Sequence, residues 1–167
     1  MIGAVSTDTA APVLRRGLLG LAALTVAGLC VELAVEHHWT QPTQLIAWVA
    51  LAVVVAAIVL VLGTPSPGRV RLARILAIAV MLSALYGCWE HIESNYDAGG
   101  LDMIYGDTWD SLPDSTRWWL ALSKTVGPSP PVAPGALAQA GLCVLLATLR
   151  HPALREEPGV RTPRLSS

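Results

Sequence analysis

Four runs of apolar residues, separated by polar or Pro/Gly-rich breaks, organise this chain. Gly17 to Val35 is the first, Leu45 to Leu62 the second and free of charge, Leu72 to Trp89 the third with Arg74 at its start, and Pro134 to Leu149 the fourth. A helix needs about 20 residues to cross roughly 30 Å of hydrocarbon, so the first three suffice. The fourth is marginal unless residues 131–133 extend it or the bilayer thins around it. With their flanks, the runs predict spans at about 17–38, 44–62, 71–92 and 132–149, an outer segment at 93–131, and tails at 1–16 and 150–167. The connections EHHWTQPT and GTPSPGR are short, which makes the first three spans consecutive neighbours. The expected fold is therefore an all-α integral membrane protein: four transmembrane helices in an antiparallel bundle. Within the outer segment, Asp114 to Lys124 predicts a short interfacial helix behind Pro113, with Trp118, Trp119 and Leu122 on its apolar face. The last residues, PGVRTPRLSS, predict a disordered tail.

Charge gives this pattern a direction. Of 11 basic residues, Arg15 and Arg16 precede the first span, Arg69, Arg71 and Arg74 join the second to the third, Arg150, Arg155, Arg161 and Arg164 follow the fourth, and Arg117 and Lys124 lie between the third and fourth. The positive-inside rule then puts both termini in the cytoplasm, in the inner (cytoplasmic) membrane of a bacterial-type cell. Acidic residues are distributed inversely: nine of 12 lie at or beyond the opposite ends of the spans. All six Trp and all three Tyr also fall on that outer side, and there is no Phe. A one-sided aromatic belt suits a working surface outside the cell, and inner loops too small to place a Trp give the same pattern.

Composition narrows the function classes. At 167 residues, with 53% hydrophobic and 14% charged against about 25% charged in a soluble domain, the chain reads as one lipid-embedded domain. No basic face rises above the arginines beside the spans, so nucleic acid is not an expected partner. Three cysteines without a C-x-x-C pair supply neither a disulfide framework nor a zinc motif. The stretch LRRGLLGLAALTVAG resembles a twin-arginine export signal, but Leu14 precedes the Arg pair and no A-x-A site follows, so an uncleaved first helix is expected.

Candidate chemistry gathers at the outer ends. Glu32 lies inside the first span and shares a helix face with Gly28 and Glu36, with Gly20, Ala23 and Ala27 nearby. A charge within a span is costly, so Glu32 is expected to point into the bundle or at a partner, along a face small enough for close helix packing. His37 and His38 close the first span; Glu90 and His91 close the third, on the stripe Ser83, Gly87, His91. Cys30-Val31-Glu32 and Cys88-Trp89-Glu90 place the same two groups at similar depth on both outward-running spans. Glu32, Glu36, His37, His38, Glu90 and His91 are thus the candidate ligand set for a transition metal, since imidazole with carboxylate suits zinc, copper or iron. Their spacing follows no established motif: EHH is not HExxH. Asp97, Asp102, Asp107 and Asp110 are too spread for a calcium loop, and no GxSxG or SxxK supplies a serine nucleophile. The leading expectation is a non-enzymatic structural or accessory subunit acting at the outer face, with lipid and another membrane protein or a second copy as partners. The alternative is a metal-binding or redox-associated protein using the Glu/His cluster.

Overall fold

The computed structural model describes residues 7–64 and 66–154. They are all-helical, without a β-strand among the described residues. Five α-helices run in the order α1 Thr7–Val35, α2 Leu45–Leu62, α3 Pro67–Ala98, α4 Asp114–Leu122 and α5 Gly135–Ala147. Three of the helical stretches, Ala10–Val35, Pro42–Leu62 and Pro67–Leu101, are long and apolar enough to cross a membrane; Gly135–Ala147 is apolar but shorter.

α1 begins well before the expected span edge at residue 17, so residues 7–16 are helix; residues 1–6 lie outside the described part. At its other end α1 stops at Val35, three residues before the expected edge. Its terminus is a Schellman turn: His37 N–H donates to Ala34 O at 3.2 Å and His38 N–H to Leu33 O at 2.9 Å. His37 sits at the left-handed position of that turn, with φ 50°. α3 starts on Ser66, whose hydroxyl accepts from Arg69 N–H at 3.3 Å, with Pro67 in the first turn. It runs 32 residues, about 48 Å at 1.5 Å per residue, so its last turns project beyond the apolar stretch.

α5 is the shortest of the four bundle helices and the most enclosed. It packs against both α1 and α3, while α2 packs on α3 and, less extensively, on α1. Alanine lets these axes approach: Ala22, Ala57, Ala73, Ala77, Ala84, Ala140 and Ala147 are buried in one continuous core with Leu19, Val54, Val80 and Val144. At the α3–α5 crossing a Cβ on Gly141 would stand 3.0 Å from Ala77 O, so a larger residue there forces the helices apart. Outward, Leu24, Val31, Val49, Val59, Ile75, Leu82 and Leu85 are exposed. A helix such as α2, with mean hydropathy 3.2 and apolar residues on every side, has a surface suited to lipid rather than water.

At the end of the bundle where α1 and α3 begin, arginines close the end of α5. Arg15 Nε donates to Ala147 O at 2.9 Å; Arg74 donates from Nε to Thr148 Oγ1 at 2.9 Å and from Nη2 to Thr148 O at 2.7 Å. These are the carbonyls a helix leaves without internal partners, and cations favour that end of the helix dipole. Beyond it, residues 150–154 fold back in a 3-10 turn, Pro152–Leu154, with His151 and Ala153 buried. The expected tail at 150–167 is thus ordered as far as Leu154, and the PGVRTPRLSS stretch lies outside the described residues.

His151 is 5% exposed, and burial, with Arg15 and Arg74 close by, holds its pKa below the ordinary 6.5. The unfolded chain thus takes up this proton before the folded one does. Folding stability is complete above about pH 6.5 and falls as pH drops through that value towards the folded pKa. Unfolding temperature in detergent is expected to fall between about pH 7.5 and about pH 5.5, and to fall less in His151→Asn.

The segment after α3 does not lie alone on a surface. Trp118 of α4 stacks on Tyr96 at 4.4 Å and on Trp89 at 5.4 Å, Trp109 meets Tyr96 edge-on at 5.5 Å, and Arg117 covers the Tyr96 ring. Trp109, Leu120, Ala121 and Val126 form a second small core against this extension of α3. The segment was too short to enclose a core by itself; the overlong α3 supplies the missing wall. Trp119, 65% exposed, and Leu122 remain uncovered, three residues apart on one side of α4.

Candidate functional site

The short α5 creates the site. Thirteen residues span about 20 Å, less than the neighbouring helices, so the chain between α4 and α5 must cover the gap at the end opposite the arginines. This return segment, residues 123–134, is held by Asn95, the one fully buried side chain on the α3 extension. Asn95 Nδ2 donates to Ala121 O at 3.1 Å and to Ser129 O at 2.7 Å, and Ser129 N–H donates to Asn95 Oδ1 at 2.8 Å. Gly127 passes over Asn95 with φ +78°, and a Cβ there would collide with it. His91 adds a further tie, 2.7 Å from Nδ1 to Pro130 O. A carbonyl can only accept, so Nδ1 carries a proton, and in the neutral ring Nε2 has the free lone pair.

Beneath the return segment lies a cleft of about 500 Å³. Its floor is apolar: Leu29 and Leu33 from α1, Leu51 from α2, Leu137 from α5. Its rim is polar: Glu32, Glu36, His38, Gln44, His91 and Lys124. A smaller cleft of about 230 Å³ adjoins it, sharing His38, Gln44 and His91 and adding Tyr86 and Glu90. Burial and the neighbouring His91 hold His38 below the ordinary imidazole range, against an opposing pull from Glu36. Lys124 reaches the rim because it occupies the left-handed position, φ 55°, of the turn ending α4, where Thr125 N–H donates to Leu120 O at 2.9 Å.

Four of the six candidate ligands, Glu32, Glu36, His38 and His91, line this one cleft, and Glu90 lines its neighbour. His37 lines neither. Its Nδ1 is 3.0 Å from Val35 O and its ring packs on Trp39 at 5.4 Å, because the turn ending α1 swings it away. Among the described residues no three His, Cys, Asp or Glu side chains stand close enough to hold a metal ion. Glu32 is exposed at the mouth of the cleft rather than enclosed by the bundle. The small-residue face beneath it is open too: Gly17, Gly20 and Gly28 have nothing within 4 Å of a built Cβ, and Ala23 and Ala27 are exposed. Gln139, on the α5 stripe with Cys143 and Ala147, is exposed while those two are buried. Cys30, Cys88 and Cys143 are free thiols.

Lys124, Asn95, Gln44 and Ser129 were not singled out in the sequence. Their positions depend on tertiary turns that no local pattern encodes. No protein-family model matches the chain, and neither does any curated protein or solved structure.

Proposed function

We propose that this chain is a four-span protein of the cytoplasmic membrane, with both termini inside, acting as a non-enzymatic structural or accessory subunit. α5, though short, crosses the bilayer antiparallel to α1 and α3, with the return segment completing its passage. The side carrying the arginines faces the cytoplasm, and the polar clefts and α4 face outward, with Trp119 and Leu122 at the interface. The observation that carries the functional reading is the uncovered face of α1: Gly20, Ala23, Ala27 and Gly28 lead up to the exposed Glu32. In lipid, small residues let a second helix approach closely, and a carboxylate at the end of such a face gives that helix a polar contact. The partner is another membrane protein or a second copy of this chain.

Ala27→Ile puts bulk on this face without touching the core. Thermal stability of the isolated protein is expected to stay within about 0.5 kcal/mol, while co-purification from mild detergent is lost. A native protein that purifies as a lone monomer, with no cross-linked partner in membranes, contradicts the reading.

The second reading is a transition-metal or redox-associated role. It is favoured by His38 and His91 sharing one cleft with Glu32 and Glu36. Metal analysis of the native protein and of Glu32→Ala/His91→Ala decides it: no bound transition metal in the native protein removes it.

A further inference from the structure

We propose that the larger cleft takes the headgroup of a phospholipid carrying a primary ammonium beside its phosphate, drawn from the surrounding leaflet. This rests on the membrane reading above. The cleft has the layered chemistry of an amphiphile site: leucines below, charged and amide groups above, a volume of about 500 Å³, and a position at the mouth of a bundle whose sides are apolar. That volume lies within the roughly 300–1,000 Å³ of small-ligand pockets, enough for a headgroup and the start of its chains.

The rim separates by sign. At the end of α1, Glu32 and Glu36 lie one turn apart, and across the cleft His91, its Nδ1 turned to Pro130 O, offers Nε2 as an acceptor in the neutral ring. An ammonium with three N–H donors suits them. From the return segment Lys124 supplies a cation. Gln44 adds a second donor: its Oε1 is occupied by Thr40 N–H, Thr40 Oγ1 and Gln41 N–H at 2.8, 3.1 and 3.1 Å, which leaves its NH₂ for another acceptor. A phosphate suits this pair. Two acidic groups against one basic group disfavour a purely anionic lipid. A quaternary ammonium is disfavoured as well, because such cations are held by aromatic cages and no aromatic side chain besides the imidazoles lines this cleft.

The test is native mass spectrometry of the full-length, delipidated protein in detergent. It is titrated with ethanolamine-, choline- and glycerol-headgroup phospholipids of identical chains, and with soluble phosphoethanolamine. The ethanolamine lipid is expected to bind about tenfold or more tightly than the choline lipid, the size of a few charge-assisted hydrogen bonds. Glu32→Gln/Glu36→Gln is expected to erase that preference. Lys124→Gln is expected to weaken ethanolamine and choline lipids alike while keeping it, and this variant remains informative if the double variant folds poorly. Equal binding of all three lipids, or a preference untouched by Glu32→Gln/Glu36→Gln, overturns the proposal. Soluble phosphoethanolamine competing as well as the lipid overturns the leaflet as its source. A native chain that stays in solution without detergent fails the membrane reading instead, a result separable from either.

Discussion

Asn95→Ala is expected to lower stability by about 2 kcal/mol: the part-buried Ser129 carbonyl and N–H lose their partner, and the Ala121 carbonyl keeps only Lys124 N–H at 3.3 Å. Asn95 is 0% exposed, and its amide hydrogen-bonds α3 to both the end of α4 and the return segment. The variant should show a reduced unfolding temperature in detergent. It should also show faster protease cleavage within residues 123–134, because the segment loses its anchor before the apolar bundle does. Asn95→Asp is expected to be at least as damaging. It keeps the acceptor for Ser129 N–H but turns a carboxylate oxygen towards two carbonyls that need a donor. Gly127→Ala acts on the same joint from the other side, through its positive φ and its contact with Asn95.

Arg74→Met is expected to cost about 1–3 kcal/mol, since it removes two charged hydrogen bonds to the fully buried Thr148, whose carbonyl then keeps only His151 N–H at 3.2 Å. Thr148 Oγ1 also donates to Leu145 O at 2.6 Å, so Thr148→Val weakens the same end of α5. Because the two residues share one network, Arg74→Met/Thr148→Val should cost less than the sum of the single changes, by about 1 kcal/mol or more. Additive costs would mean that Arg74 acts elsewhere. Arg15→Met, with a single bond to Ala147 O, is expected to show a smaller effect in the same unfolding assay.

The apolar runs were legible in the sequence because lipid demands them: α2 and α3 cover the second and third runs, and α1 the first. Their ends were less so. The left-handed residues that close α1 and α4 are His37 and Lys124, not glycine, so no local signal marked those turns. α3 was expected to stop near residue 92. It continues to Ala98 because Tyr96 and Asn95, polar by composition, find partners in Trp118 and the return segment. Glu32, Glu36, His38 and His91 were brought together largely by depth alone: residues near the same ends of adjacent helices must meet. His37 escaped for a backbone reason, and Lys124 entered from 33 residues beyond His91, through a fold-back that periodicity cannot show. In the sequence Arg15 and Arg74 mark topology; that they also cap α5 depends on α5 ending between the starts of α1 and α3.

The direction of the bundle supports everything proposed for the cleft, and single-cysteine labelling measures it. In a background with Cys30, Cys88 and Cys143 replaced by Ala, Asp107→Cys and Gly68→Cys place one thiol at each exposed end. A membrane-impermeant maleimide added to intact spheroplasts is expected to label Asp107→Cys at once and Gly68→Cys only after permeabilisation. The reverse pattern, or labelling of both in sealed cells, would contradict a bundle with its arginines in the cytoplasm and its Glu/His cleft outside.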